Sequence, residues 1–126
     1  MAIVINWNSP LYDTIMFKFE GDWTWIALRN QIRTAFVLMQ KAPSATDLIF
    51  DLTAANGLPV NPVENLSSLS HHLPANLGTL TLIVPTQTIY DGLLPVCEYY
   101  AAAGLRMELA LMEAAEISDL TSPAIA

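Results

Sequence analysis

The sequence predicts an α/β fold built on a mixed, mostly parallel sheet, and three observations carry that expectation. The run Asp47-Leu48-Ile49-Phe50-Asp51-Leu52-Thr53 is apolar without alternation at its centre. That is the pattern of a parallel strand buried on both faces and covered by helices on both sides. Segments with helical spacing flank this run on either side. Near the amino end, two strand patterns are separated by too few residues for a crossover, which predicts an antiparallel pair at one side of the sheet.

The elements follow in order. Ile3-Val4-Ile5-Asn6-Trp7 has strand character, and Asn8-Ser9-Pro10 is a turn signal that ends it. In Thr14-Ile15-Met16-Phe17-Lys18-Phe19-Glu20, the residues Ile15, Phe17 and Phe19 share one face while Lys18 and Glu20 share the other. This period of two marks a partly exposed strand. Gly21 breaks it, and Asp22 is placed to cap a helix, because a carboxylate accepts the unpaired N–H groups of a first turn. That helix is expected to run to about Lys41, with Trp25, Leu28, Ile32, Ala35, Phe36 and Met39 as its apolar stripe. Pro43 prevents its continuation.

After the central strand, the segment 53–60 forms a loop at a carboxyl strand end, where open α/β sheets place their ligands. The next helix is expected to start at Asn61 as cap, with Pro62 in the first helical position and Glu64 closing a capping box. Val63, Leu66, Leu69 and Leu73 form its apolar face; Pro74 and the turn Asn76-Leu77-Gly78 end it. Thr79 to Val84 reads as another strand, stopped by Pro85. Thr88 with Asp91 then offers a cap for a third helix, which Pro95 is expected to kink or to split. Gly104 supplies a left-handed cap. Arg106 to Leu111 alternates like an edge strand, although its Ala and Glu content also fits a helix. Met112 to Leu120 reads as a short helix closing a single domain over residues 1–120, with 121–126 as a frayed tail. Right-handed crossovers leave few ways to connect these elements.

Composition narrows the function classes. The chain has 126 residues, 53% of them apolar, and a mean hydropathy of +0.40, yet no run approaches the roughly 18–20 apolar residues that span a bilayer. Twelve acids against five bases give a net charge of −7, and Arg29, Arg33 and Lys41 fall in one helical segment. Nucleic-acid binding is not expected, since its affinity comes largely from Lys and Arg neutralising phosphates. The start, Met1-Ala2-Ile3-Val4-Ile5, lacks the basic and longer apolar regions of a signal peptide. A single cysteine, Cys97, allows no intrachain disulfide, and a cytoplasmic location is the expectation. Cys97 itself, among apolar residues of a helix, reads as a buried structural thiol.

No complete catalytic set emerges from the residues. His71 and His72 are adjacent, so on a helix they point about 100° apart and do not chelate one ion, and each is explained by the negative end of its helix. Ser67 and Ser68 read as solvated helix positions. Ser68 stands four residues from His72, but no third group orients that pair as a nucleophile and base. Asp47 and Asp51 share a strand face at its two ends and read as strand-end carboxylates, with Asp51 accepting from loop N–H groups. Glycine is too scarce for a phosphate-cradling loop. Trp23 and Trp25 are expected to point in different directions, one onto the sheet and one towards the surface as an interface anchor.

The order of elements, together with Phe19-Glu20-Gly21-Asp22-Trp23-Thr24-Trp25, the strand Leu48-Ile49-Phe50-Asp51-Leu52-Thr53 and the turn Pro74-Ala75-Asn76-Leu77-Gly78, resembles the STAS fold of anti-sigma factor antagonists. Within that superfamily the chain is most similar to small bacterial SpoIIAA-like, or STAS/SEC14-type, proteins. With this resemblance, the acidic balance and the missing catalytic set favour a non-enzymatic STAS-like protein-interaction or regulatory module, with no cofactor. Antagonists of this kind carry an Asp-Ser-x-Gly segment at the start of the second helix, where a hydroxyl is phosphorylated. Here that region reads Val60-Asn61-Pro62-Val63-Glu64-Asn65 and has no hydroxyl, so the phosphorylation switch does not carry over. The expected interaction surface comprises Trp23, Trp25, Thr53, Asn56, Asn61, Ser67, Ser68, His71 and His72, facing a protein partner or a second copy. The alternative is a carrier of a small apolar or lipid-like molecule, which the likeness to SEC14-type domains and the apolar excess suggest. A partner module calls for a filled core and an exposed apolar patch, a carrier for an enclosed cavity of roughly 300 Å³ or more.

Overall fold

A computed structural model describes residues 3–7, 13–41, 45–73 and 75–112. Strands β1 (Ile3–Trp7) and β2 (Thr14–Gly21) are followed by helix α1 (Trp25–Gln40), strand β3 (Thr46–Ala55) and helix α2 (Pro62–Leu69). A 3-10 turn (Ser70–His72), strand β4 (Leu77–Val84), helix α3 (Gln87–Ala102) and strand β5 (Arg106–Leu111) complete the order. The sheet has the spatial order β1-β2-β3-β4-β5; the β1–β2 pair is antiparallel and every other pair is parallel. The expected mixed sheet with an antiparallel amino-terminal pair is therefore present. The expected short helix after Met112 and the tail 121–126 lie outside the described residues, as does the turn at 8–10. Met112 itself donates its N–H to the Val84 carbonyl at 3.1 Å, one step past β5.

Sequential strand order has a consequence for the layers. When right-handed crossovers step repeatedly in one direction, each crossover helix falls on the same face of the sheet. Core membership agrees. Ile15, Phe17 and Phe19 of β2, Leu48, Phe50 and Leu52 of β3, and Leu80, Leu82 and Val84 of β4 belong to one buried cluster, and all three helices contribute to it. The residues of opposite parity do not: Met16 and Ile83 are buried yet stand outside that cluster. Helices on both sides of the central strand, as the sequence suggested, are thus not found among the described residues. The consecutive apolar run has another cause. Ile49 sits between its register partners Met16 and Thr81, and flanking side chains on a pleated face shield a central strand without a helix above it.

Helix starts differ from expectation for local reasons. Thr24, not Asp22, caps α1, its hydroxyl accepting from the Ala27 N–H at 3.1 Å. Asp22 is engaged elsewhere, accepting from Asn56 Nδ2 at 3.1 Å. Asn61 precedes α2 and Pro62 opens it, but Asn61 has φ 56° and ψ 52° and makes no side-chain cap bond. Its left-handed backbone turns the side chain away from the first turn, so the capping box with Glu64 does not form. Thr86 caps α3 in place of Thr88, accepting from Ile89 N–H at 3.3 Å, while Asp91 accepts from Gln87 Nε2 at 2.8 Å. Pro95 neither splits nor restarts α3, which runs through it. Pro95 and Asp91 are both exposed, so the Asp91 carbonyl that loses its helical partner faces water. Gly104 adopts φ 79° after α3, as a left-handed cap requires.

Candidate functional site

Between α1 and the end of α2 lies a groove of about 440 Å³. The α1 wall follows from helical spacing. Ile32 and Phe36 form one column, Arg29 and Arg33 the next, each pair separated by one turn. Ile32 is 3% exposed and Phe36 37%, while both arginines are exposed. The wall therefore changes from apolar to cationic between floor and rim. Buried Leu69 and half-buried Leu73 continue the apolar floor on the other side, and His71 and His72 stand exposed above them.

The histidines reach this position because α2 stops early. Its expected last turn is instead the 3-10 turn, in which the Ser70 N–H and the Ser70 hydroxyl both donate to the Ser67 carbonyl, the latter at 2.7 Å. His71 Nε2 stands 3.2 Å from the Tyr99 hydroxyl, which steadies the ring against α3. His72 and Ser68 share no hydrogen bond among the described residues, and neither do His71 and Ser67.

The charge distribution sets this groove apart. The chain carries twelve acids and five Lys or Arg, and two of those five bases and both histidines line the groove. Among the described residues neither the Arg29 nor the Arg33 side chain takes part in an ion pair or hydrogen bond. Two unpaired guanidiniums one helical turn apart repel each other modestly and form a local positive field on an acidic molecule. The clustering of bases on the first helix is visible in the sequence, but the groove is not. The missing signal was spatial, because nothing in the spacing shows that the histidines face Arg29 and Arg33 across a groove.

A second group gathers at the β3–α2 loop. Trp23 is 7% exposed and packs edge-on against Phe19 at 4.7 Å and against Trp25 at 4.8 Å. Its indole N–H donates to the Gly57 carbonyl at 3.0 Å, and that of half-buried Trp25 donates to the Val60 carbonyl at 2.8 Å. The expected division into one buried and one more exposed tryptophan is present, but both indole nitrogens bind the loop. Asn56 joins this group, and a cleft of about 100 Å³ lies between it, Trp23 and Gly57. Thr53 belongs to the strand end: its N–H and hydroxyl both donate to buried Asp51, at 3.0 and 2.6 Å. Asp47, at the other end, accepts from the Thr79 N–H at 2.8 Å. Of the nine residues expected to form one surface, His71 and His72 line the groove, and Trp23, Trp25 and Asn56 gather at the loop.

Cys97 is half-buried, and burial, with the Glu98 carboxylate adding to it, pushes its thiol above the ordinary value of 9.0. Its thiolate is disfavoured at neutral pH. Among the described residues no group of three or more His, Cys, Asp or Glu is placed to hold a metal ion, and no helix is long and apolar enough to cross a membrane. No protein-family model matches the chain, and no curated protein matches it.

Proposed function

We propose that this chain is a non-enzymatic, STAS-like binding and regulatory module that engages a protein partner through the groove between α1 and α2. The observation that carries the reading is the two-toned lining: an apolar floor of Ile32, Phe36, Leu69 and Leu73 below a rim of Arg29, Arg33, His71 and His72. Apolar contacts supply affinity, while the rim selects an acidic partner and steers its approach. Phe36 within the groove is 37% exposed, and Tyr99, against His71, extends the surface beyond it at 41% exposure. Aromatic side chains of this kind are common interface anchors.

The test is native mass spectrometry of the protein isolated gently from its own host, alongside a Phe36→Asp variant. A second polypeptide, or a second copy, held by the parent protein and lost from the variant supports the reading. A parent protein that carries no polypeptide, or a variant that retains it, removes the reading. The carrier of a small molecule is the second reading: the groove volume falls within the roughly 300–1,000 Å³ of small-ligand sites, although the groove is open to solvent at its rim and not an enclosed cavity. A small mass that disappears on denaturation would favour it.

A further inference from the structure

We infer that the groove is a site for a small amphiphilic anion, a carboxylate or phosphate head on an apolar body. This rests on the second reading, the groove as a small-molecule site, and goes beyond it by naming the chemistry that fills it. Three observations converge. The volume of about 440 Å³ suits one small molecule. The α1 wall orders its side chains by polarity, from buried Ile32 through part-exposed Phe36 to exposed Arg29 and Arg33. Those two guanidiniums have no ion-pair or hydrogen-bond partner among the described residues.

The head-group chemistry follows from what a guanidinium offers. Its planar fork of donors matches carboxylate and phosphate oxygens bidentately, with charge-assisted hydrogen bonds stronger than neutral ones. Arg29 and Arg33 are one helical turn apart, so a single anion between them is contacted by both and screens their mutual repulsion. Among the described residues, no acidic side chain that would compete for them lines the groove. The apolar body then lies on Phe36, Leu69 and Leu73, removing their exposed surface from water. Either half alone is weak: an inorganic anion leaves the floor wet, and a neutral or cationic amphiphile leaves the arginines unpaired or repelled.

The experiment follows backbone amide shifts by NMR on the intact chain, titrating decanoate, decyl phosphate, decyltrimethylammonium and inorganic phosphate below any micelle-forming concentration. Decanoate and decyl phosphate are expected to bind saturably at one site, shifting amides in 29–36 and 69–73, and their relative affinities distinguish the two head groups. An Arg29→Gln/Arg33→Gln double variant, with its other amide positions unchanged, is expected to lose roughly tenfold or more in affinity for both. Phe36→Ala should weaken the decyl compounds. Equal binding of decyltrimethylammonium, equal binding of inorganic phosphate, or indifference to the double substitution would each overturn the inference. If the decyl anions do not bind while Phe36→Asp still abolishes a native protein complex, the anion site falls and the groove as a protein-docking surface stands.

Discussion

The Tyr100 hydroxyl donates to the Leu66 carbonyl at 2.7 Å across the buried contact between α3 and α2. Tyr100 is fully buried, and the Ser70 N–H, which an uninterrupted helix would bring to Leu66, is bound to Ser67 instead. The bond therefore supplies a partner to a carbonyl near the end of α2, at the point where the chain tightens into the turn that carries His71 and His72.

Tyr100→Phe leaves the ring in place and removes that donor. A buried carbonyl losing its partner costs about 1–3 kcal/mol, and the loss should appear as a lower urea midpoint with an unchanged slope. The pH dependence gives a second readout. Burial first, and the neighbouring Tyr99 second, push the Tyr100 hydroxyl well above its ordinary 10.0. In the window above pH 10 the unfolded chain releases this proton while the folded chain keeps it. The stabilisation is thus complete below pH 10 and declines as pH rises past it. The Phe variant, having no such group, should lose stability less steeply there.

The two indoles give the next prediction. Trp23→Phe and Trp25→Phe keep most of the apolar surface but remove the donors to Gly57 and Val60. Each is expected to cost about 0.5–1.5 kcal/mol for the hydrogen bond, with some further loss from the smaller ring. The local consequence is the more specific one. The Asn56 N–H, which donates to Gly21 at 2.8 Å, should exchange its hydrogen faster in both variants while core strand amides keep their protection.

A third test concerns the approach of β4 to β3. A Cβ at Gly78 would collide with Asp47 Oδ1, the atom that accepts from the Thr79 N–H. Asp47 is exposed and free to rotate away, so Gly78→Ala should cost about the value of that hydrogen bond, 0.5–1.5 kcal/mol. In an Asp47→Ala background the clash has no target, and the same substitution should cost distinctly less. Additive effects in this double-mutant cycle would contradict the geometry.

The order of elements, the antiparallel pair and the edge strand β5 were legible because alternation, turn residues and apolar runs report backbone geometry directly. Helix starts were read less well, since several residues compete for each cap. Asp22 and Thr24 both qualify chemically, and only the bond from Asn56 to Asp22, across 34 residues, explains why Thr24 takes the role. The groove was harder still. Its two walls come from segments about forty residues apart, and the turn that presents His71 and His72 depends on where α2 stops. Buried Thr46, whose hydroxyl finds no hydrogen-bond partner among the described residues, carries no sequence signal of its position either.

The arginines allow structural and binding roles to be separated by measurement. A side chain kept for stability should destabilise the fold when removed, whereas one kept for binding often leaves stability unchanged or improved. Arg29 and Arg33 are like charges at spacing four, which costs an isolated helix about 0.2–0.5 kcal/mol, and neither has a compensating partner among the described residues. Arg33→Gln removes the repulsion and keeps a helix-forming side chain of similar reach. Its urea midpoint should therefore be unchanged or slightly higher, equivalent to about 0–0.5 kcal/mol of added stability, with the difference shrinking as salt screens the parent's charges. A loss above about 1 kcal/mol would mean that Arg33 holds the fold together. The groove would then lose its claim to an unpaired cation reserved for a ligand.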